Sequence, residues 1–259
     1  MATKDYAAIA RQRITRPADH KRYPKFLIYS RNKKGKTTFG ISGGVDQTLV
    51  LDPEMGTAEM KTKNPHVWSI DRWEDLEEAY NYIRYSDHPY KWICVDGLTK
   101  MSNMALKYVM KVQEERSLDR IPGMVQQRDY GKAGELMKDL LTKFHNLPYG
   151  VVFTAQERME TGYDAEEDED SEDVEAVYVA DLPKGVRGAA NSIVDVIGRL
   201  YVVRNDEGKA ERRLWIQESV RYDTGYRSDF ELPDYLAKPT VARLTRLIRT
   251  GSANPKKSS

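Results

Sequence analysis

The chain has 259 residues, 40% hydrophobic and 31% charged, a balance that fits a soluble globular protein with one sizeable α/β domain. No apolar run approaches the roughly 20 residues that span a bilayer, and the first residues hold no apolar signal segment, so a cytoplasmic protein with no membrane partner is expected. Cys94 is the single cysteine and the four histidines, His20, His66, His88 and His145, are scattered, which excludes a disulfide framework and a cysteine-based zinc site.

The net charge of +1 conceals a segregation along the chain. The first 36 residues carry eleven Lys or Arg against two Asp, an excess that suits a polyanion or a nucleotide as well as a solvated surface. Residues 164–175, DAEEDEDSEDVE, hold nine acids and no base, the pattern of a solvated, mobile loop.

Taken in chain order, residues 5–13 have a weak helical pattern with Tyr6, Ile9 and Ala10 on one side, and 1–22 form an N-terminal arm. Strand 25–29 is continuously apolar at its centre, as in a strand buried on both faces of a parallel sheet. After a Lys-rich turn comes a short helix ending near Gly43 and Gly44, then strands at 47–52 and 67–70. The spacing of Trp73, Leu76, Tyr80 and Ile83 predicts a helix over 71–85, with Asp71 as N-cap and Glu74 at capping-box distance. Strand 91–96, a helix over 100–115, a polar segment 116–131, a helix to about 145 and strand 150–156 follow. Beyond the acidic block, strands are expected at 176–180, 198–204 and 212–218, with helices at 188–197 and 239–249. The tail 251–259 is expected to be disordered. Alternating buried strands and helices give an α/β class with a mainly parallel sheet and helices on both faces, so that ligands bind at the C-terminal strand edge.

The turn after the first strand is Ser30, Arg31, Asn32, Lys33, Lys34, Gly35, Lys36, Thr37, Thr38. It is most of a phosphate-binding loop, in which backbone N–H groups and a helix start cradle a polyphosphate. Lys36 would reach the outer phosphates, and the Thr37 hydroxyl would help hold Mg²⁺, so the expected ligands are ATP or another nucleoside triphosphate and magnesium. The motif asks for glycine at position 30, where this chain has serine; at a positive φ that serine would cost of order 1 kcal/mol, and in extended backbone nothing. A basic hairpin turn is the alternative. Three further strand ends carry polar groups. Asp96 suits a carboxylate that holds the magnesium waters opposite Thr37, or else opens an Asp-Gly turn. Glu54, in the 52–54 segment Asp-Pro-Glu, suits a base for an attacking water, or is an exposed acid in a proline turn. Gln156 suits a group that senses the terminal phosphate, or is a plain exposed amide.

The stretches KFLIYSRNKKGKTT, TLVLDPEMG, KWICVDGLTKM and DYGKAGELMKDLLTKFHNLPYGVVFTAQE, with the later VDVIGRLYVVR, resemble the phage-encoded AAA-family ATPases of the RecA-like kind, which include the Sak-type single-strand annealing proteins of phage recombination. The resemblance covers roughly residues 20–250 and implies a RecA-like P-loop NTPase domain over 23–250, working in a bacterial host cell. It implies ATP held between subunits of a homo-oligomer, ring or filament, and single-stranded DNA bound by loops on the inner face. Matched by position, Lys36 and Thr37 are the loop pair, Asp96 the metal-ordering acid, Glu54 the catalytic glutamate and Gln156 the switch glutamine. The implied DNA contacts are Arg116, Arg120, Gln127, Arg128 and Tyr130 in 116–131, able to meet phosphates and stack a base, and Arg158, Lys184 and Arg187 in 157–188, with a neighbouring subunit's nucleotide as the alternative target of Lys184 and Arg187. The acidic block would mimic DNA or recruit a basic protein partner. A replication motor or loader, and a nucleotide-gated module that does not hydrolyse, are the alternative functions.

Overall fold

Every residue of strand β1, Lys25–Ser30, is buried, because helices cover both faces of the sheet in which it lies. The computed structural model describes residues 5–16, 22–117, 119–161 and 176–254; the acidic block 164–175 lies outside them. The remaining strands are β2 Thr48–Asp52, β3 His66–Ser69, β4 Trp92–Val95, β5 Gly150–Glu160, β6 Val177–Ala180, β7 Val196–Arg204, β8 Ala210–Trp215, β9 Gly225–Tyr226 and β10 Tyr235–Ala237. The helices are α1 Tyr6–Arg13, α2 Lys36–Gly40, α3 Trp73–Tyr85, α4 Leu98–Arg116, α5 Gln127–His145, α6 Lys184–Ile193 and α7 Val241–Thr250.

The sheet runs β3-β2-β4-β5-β1-β7-β8-β10. From β3 to β7 all neighbours are parallel, and β8 and β10 add antiparallel strands at one edge. β1 therefore sits mid-sheet between two strands distant in sequence, β5 and β7, and β4 stands one strand further along.

Alternation along β1 divides the core. Leu27 and Tyr29 face the side covered by α3, α4, α5 and α6, where Leu76, Met101, Leu141, Phe144 and Val186 pack. Phe26 and Ile28 face α2 and α7, against Phe39, Val241, Leu244 and Leu247. Each such side chain contributes roughly 1.5–3 kcal/mol when fully removed from water, so the two layers hold β1 and its C-terminal end in place. The expected α/β class with helices on both faces is the one found.

Several boundaries differ from the expectation. Helix α3 is capped from Asp75, whose carboxylate accepts from the backbone N–H of Asp71 and of Arg72, both at 2.8 Å; Arg72 takes the N-cap position in place of Asp71. The helix expected over 188–197 is Lys184–Ile193, led by Pro183, because Val196 and Ile197 pair with Phe26 and Leu27 of β1. β5 continues past 156 to Glu160 because β6 pairs with the extension. β8 lies at 210–215 rather than 212–218, and the two- and three-residue strands β9 and β10 were too short to carry a periodic signal.

Helix α2 crosses the sheet so closely that a Cβ on Gly40 would overlap the Sγ of buried Cys94 on β4. Gly40→Ala is expected to lower the unfolding free energy in urea by about 1–3 kcal/mol, with much of the loss recovered when Cys94→Ala is added. An undiminished single variant would contradict this contact.

Candidate functional site

The chain leaves β1 at Ser30 and enters α2 at Lys36. Ser30 belongs to the strand and has extended backbone, whereas the left-handed conformations fall at Lys33, φ 61°, and Gly35, φ 102°. The serine in place of glycine thus brings no backbone strain. Gly35 is required twice: its φ disfavours other residues, and a Cβ there would lie 2.7 Å from the Nε of Arg212 on β8. That Nε donates to the Lys34 carbonyl at 3.0 Å, so β8 braces the loop.

Lys36 folds back across the loop, its Nζ donating to the carbonyls of Ser30 at 3.1 Å and Arg31 at 3.3 Å. Burial pushes the Lys36 ammonium below its usual pKa, an effect that Asp96, Glu54 and Glu157 oppose. A cation held close to neutral oxygens and among carboxylates is poised to exchange them for a phosphate.

Beside it, the Thr37 Oγ1 donates to Asp96 Oδ2 at 2.6 Å. The other Asp96 oxygen accepts from Thr154 on β5, whose Oγ1 also accepts the Gly97 N–H at 2.9 Å. Asp96 is 8% exposed. Burial pushes its pKa up, as does Asp52, while the hydrogen bonds from Thr154 and Thr37 and the charge of Lys36 pull it down. A hydroxyl and a carboxylate in direct contact at a helix start fit magnesium, with Thr37 as oxygen ligand and Asp96 on the metal waters. Among the described residues no three His, Cys, Asp or Glu side chains converge, so phosphate oxygens and water would have to complete such a shell.

The remaining strand ends separate into two roles. Asp52, 3% exposed, accepts from the N–H of Glu54 at 3.0 Å, the N–H of Thr57 at 2.9 Å and the Thr57 hydroxyl at 2.7 Å, and is consumed by the turn it stabilises. Glu54 stays exposed, and the Gln156 Nε2 donates to its Oε1 at 3.5 Å. The Gln156 backbone N–H donates to Thr99 Oγ1 at 3.0 Å, and that hydroxyl donates to the Asp181 carbonyl at 2.9 Å. Ser30, Lys36, Thr37, Asp96, Glu54 and Gln156 are thereby gathered at one sheet edge.

The expected DNA contacts fare unevenly. Arg116, Gln127, Arg128, Tyr130 and Lys184 are exposed, beside exposed Ile121, Met124 and Val125. Arg120 is instead buried in an ion pair with Asp129. Arg187 is buried as well, donating to both Glu160 oxygens and lying 3.7 Å from Asp223. Arg158 is held by Glu160 and Asp181. Arg120 and Arg187 are corrections: their guanidinium groups face carboxylates of the same chain and are closed to a backbone phosphate.

Thr154, Thr99 and Arg212 were missed from the sequence. Thr154 left a trace, being the one hydroxyl inside an otherwise apolar strand, GVVFTA; Arg212 left none. Also unforeseen is a cavity of about 730 Å³ beside the loop, lined by Gly35, Thr38, Phe39, Asn205, Arg212 and Lys238.

The sequence profile of the AAA domain matches residues 22–228, most of the chain. The chain belongs to the AAA domain family. No curated protein matches this AAA domain. Among solved structures it is similar to a KaiC-like protein from Pyrococcus horikoshii OT3 (12% identity, TM-score 0.43, 83% of this chain and 89% of that one). It is also similar to a DnaB-like replicative helicase (14%, 0.47, 92% and 64%) and to the flagellar accessory protein FlaH from Methanocaldococcus jannaschii (8%, 0.39, 83% and 84%). In this AAA domain the loop follows β1, and Asp96 lies just beyond β4, two strands along the same sheet.

Arg120→Ala would leave buried Asp129 without its counter-charge, and a loss of about 3–5 kcal/mol of stability is expected. Single-stranded-DNA affinity, measured by fluorescence anisotropy below the melting temperature, should change less than twofold by this physical separation of roles; a large specific loss of affinity would reinstate Arg120 as a contact.

Proposed function

We propose that this AAA domain is a magnesium-dependent ATPase that binds single-stranded DNA as a homo-oligomer, in the manner of a phage recombination protein that pairs complementary strands. The observation that carries the nucleotide part is the Thr37–Asp96 hydrogen bond beside Lys36. It sets a loop lysine, a metal-ligating hydroxyl and a water-ordering carboxylate in the arrangement that phosphoryl transfer uses.

In this reading the backbone N–H groups of 33–37 hold the phosphates, and Lys36 leaves the Ser30 and Arg31 carbonyls to meet the outer two. Magnesium, when bound, neutralises charge on the phosphate oxygens, and Thr37 and Asp96 are the residues that would hold it. Glu54, exposed at the edge, accepts the proton of the attacking water. Gln156, already in contact with Glu54, reports the loss of the terminal phosphate along β5 to the β5–β6 hairpin. The cavity beside Gly35 and Thr38 is the compartment for ribose and base.

Exposed Arg116, Arg128 and Lys184 with Gln127 and Tyr130 support the DNA part, since they combine phosphate contacts with a ring for base stacking. The annealing role and the phage setting rest on the resemblance of the sequence segments quoted above. The basic partner suggested for 164–175 falls on residues outside the described ones.

Lys36→Ala is expected to abolish Mg·ATP binding. Glu54→Gln should leave binding intact and lower phosphate release, with or without single-stranded DNA, by about 10²–10⁴-fold. Wild-type turnover in the Glu54 variant would contradict its role as base, and directional unwinding driven by ATP would favour a motor over an annealing protein.

A further inference from the structure

One residue beyond Gln156, Glu157 is a carboxylate with only 2% of its side chain exposed, yet it lies at the phosphate loop. Arg31 of the loop approaches it from one side, Nε to Oε1 at 3.4 Å. Arg199 of β7 holds it from the other, with Nε to Oε2 at 2.6 Å and a second N–H to Oε1 at 3.3 Å. Arg199 is itself held: its guanidinium stands 4.7 Å from the Tyr178 ring and 4.5 Å from the Tyr222 ring, two neighbouring rings whose centroids are 6.1 Å apart and which together favour its present position through cation–π contact. The backbone carbonyl of Tyr178 in turn accepts the Tyr29 hydroxyl at 2.9 Å, so the clamp is anchored to β1, the strand that carries the loop.

A buried negative charge here has a consequence for nucleotide choice. The tail of a loop-bound nucleotide ends nearest the loop lysine, and Lys36 lies within the electrostatic reach of Glu157. A terminal phosphate adds at least one negative charge at that end. Glu157 repels a triphosphate more than a diphosphate unless its own charge is cancelled in place.

We propose that Glu157 and Arg199 set the discrimination between triphosphate and diphosphate, with Arg199 as the positioning residue that cancels Glu157 and so allows the terminal phosphate to bind. Arg31, 69% exposed, is then free to move from Glu157 to the phosphate, because Arg199 alone satisfies both carboxylate oxygens. The same carboxylate keeps the loop from holding product and substrate equally in the opposite sense: strengthening its cancellation favours the triphosphate, and weakening it favours the diphosphate.

This inference rests on the nucleotide reading above, and calorimetric titration with Mg·ADP and with the non-hydrolysable triphosphate Mg·AMP-PNP tests the two separately. Arg199→Gln is expected to weaken AMP-PNP about tenfold while ADP changes less than about threefold, the scale of one uncancelled charge near a phosphate. Adding Glu157→Gln to that variant should restore the wild-type ratio of the two affinities. Glu157→Gln alone keeps the side chain's size and should raise the preference for AMP-PNP about threefold or more; this variant decides the matter if Arg199→Gln does not fold. Equal losses for both ligands, no restoration in the double variant, or an unchanged ratio in Glu157→Gln would overturn the proposal. Wild-type protein that binds neither ligand would overturn the nucleotide reading, and this inference with it.

Discussion

The hydrogen bond from the Thr37 hydroxyl to Asp96 joins two elements that are not neighbours in the sheet: helix α2, which follows β1, and the end of β4. β5 lies between them and closes the gap with Thr154, which binds the other Asp96 oxygen and the Gly97 N–H. The three residues come from stretches of chain some sixty positions apart, and they meet only if the register of β1, β5 and β4 is kept. Parallel pairing sets that register, Ser30 opposite Gln156 and Val95 opposite Phe153. Gly40 allows α2 to lie low enough over Cys94 to hold Thr37 at this height. A shift of one residue in any of these strands would turn the polar tips away from the common edge.

That edge was readable in advance because it is made of strand ends. Apolar runs that finish in a polar segment announce themselves without knowledge of which strands pair, so Asp96, Glu54 and Gln156 stood out as strand ends and Lys36 and Thr37 through the loop motif that follows β1, and all lie together. The doubt over Ser30 was conformational, and its place as the last residue of β1 removes it. What stayed hidden depended on pairing across long sequence distances. Arg212 reaches the loop because β8 folds back on β7, and Arg199 reaches Glu157 because β7 lies on β1 opposite β5. Arg120 and Arg187 misled for the same reason: a basic residue in a polar segment looks free until Asp129, Glu160 and Asp223 are brought to it.

In the proposed function, the route from the edge toward a second partner runs along β5. Beyond Gln156 the strand pairs antiparallel with β6, and its side chains join Arg187 of α6 and Asp181 through Glu160 and Arg158. This is a closed polar network rather than an open basic surface, so it suits transmission better than direct contact with a polyanion. The exposed candidates for that contact lie at the end of α4, in the first turn of α5 and at the start of α6; α5 and α6 pack together, as the approach of Gly185 to Lys138 shows. In the proposed mechanism a change felt by Gln156 would thus reach a rigid α5–α6 unit instead of a single flexible side chain.

The central claim is that the backbone between β1 and α2 encloses a triphosphate. Amide hydrogen exchange measured residue by residue, with and without Mg·ATP, tests it most directly, because the N–H groups that would bind phosphate are the ones observed. The account predicts strong added protection over residues 33–37 and little change at the opposite end of the sheet near Trp92. Exchange in the loop that is indifferent to saturating Mg·ATP, or protection that appears elsewhere on the surface, would contradict it.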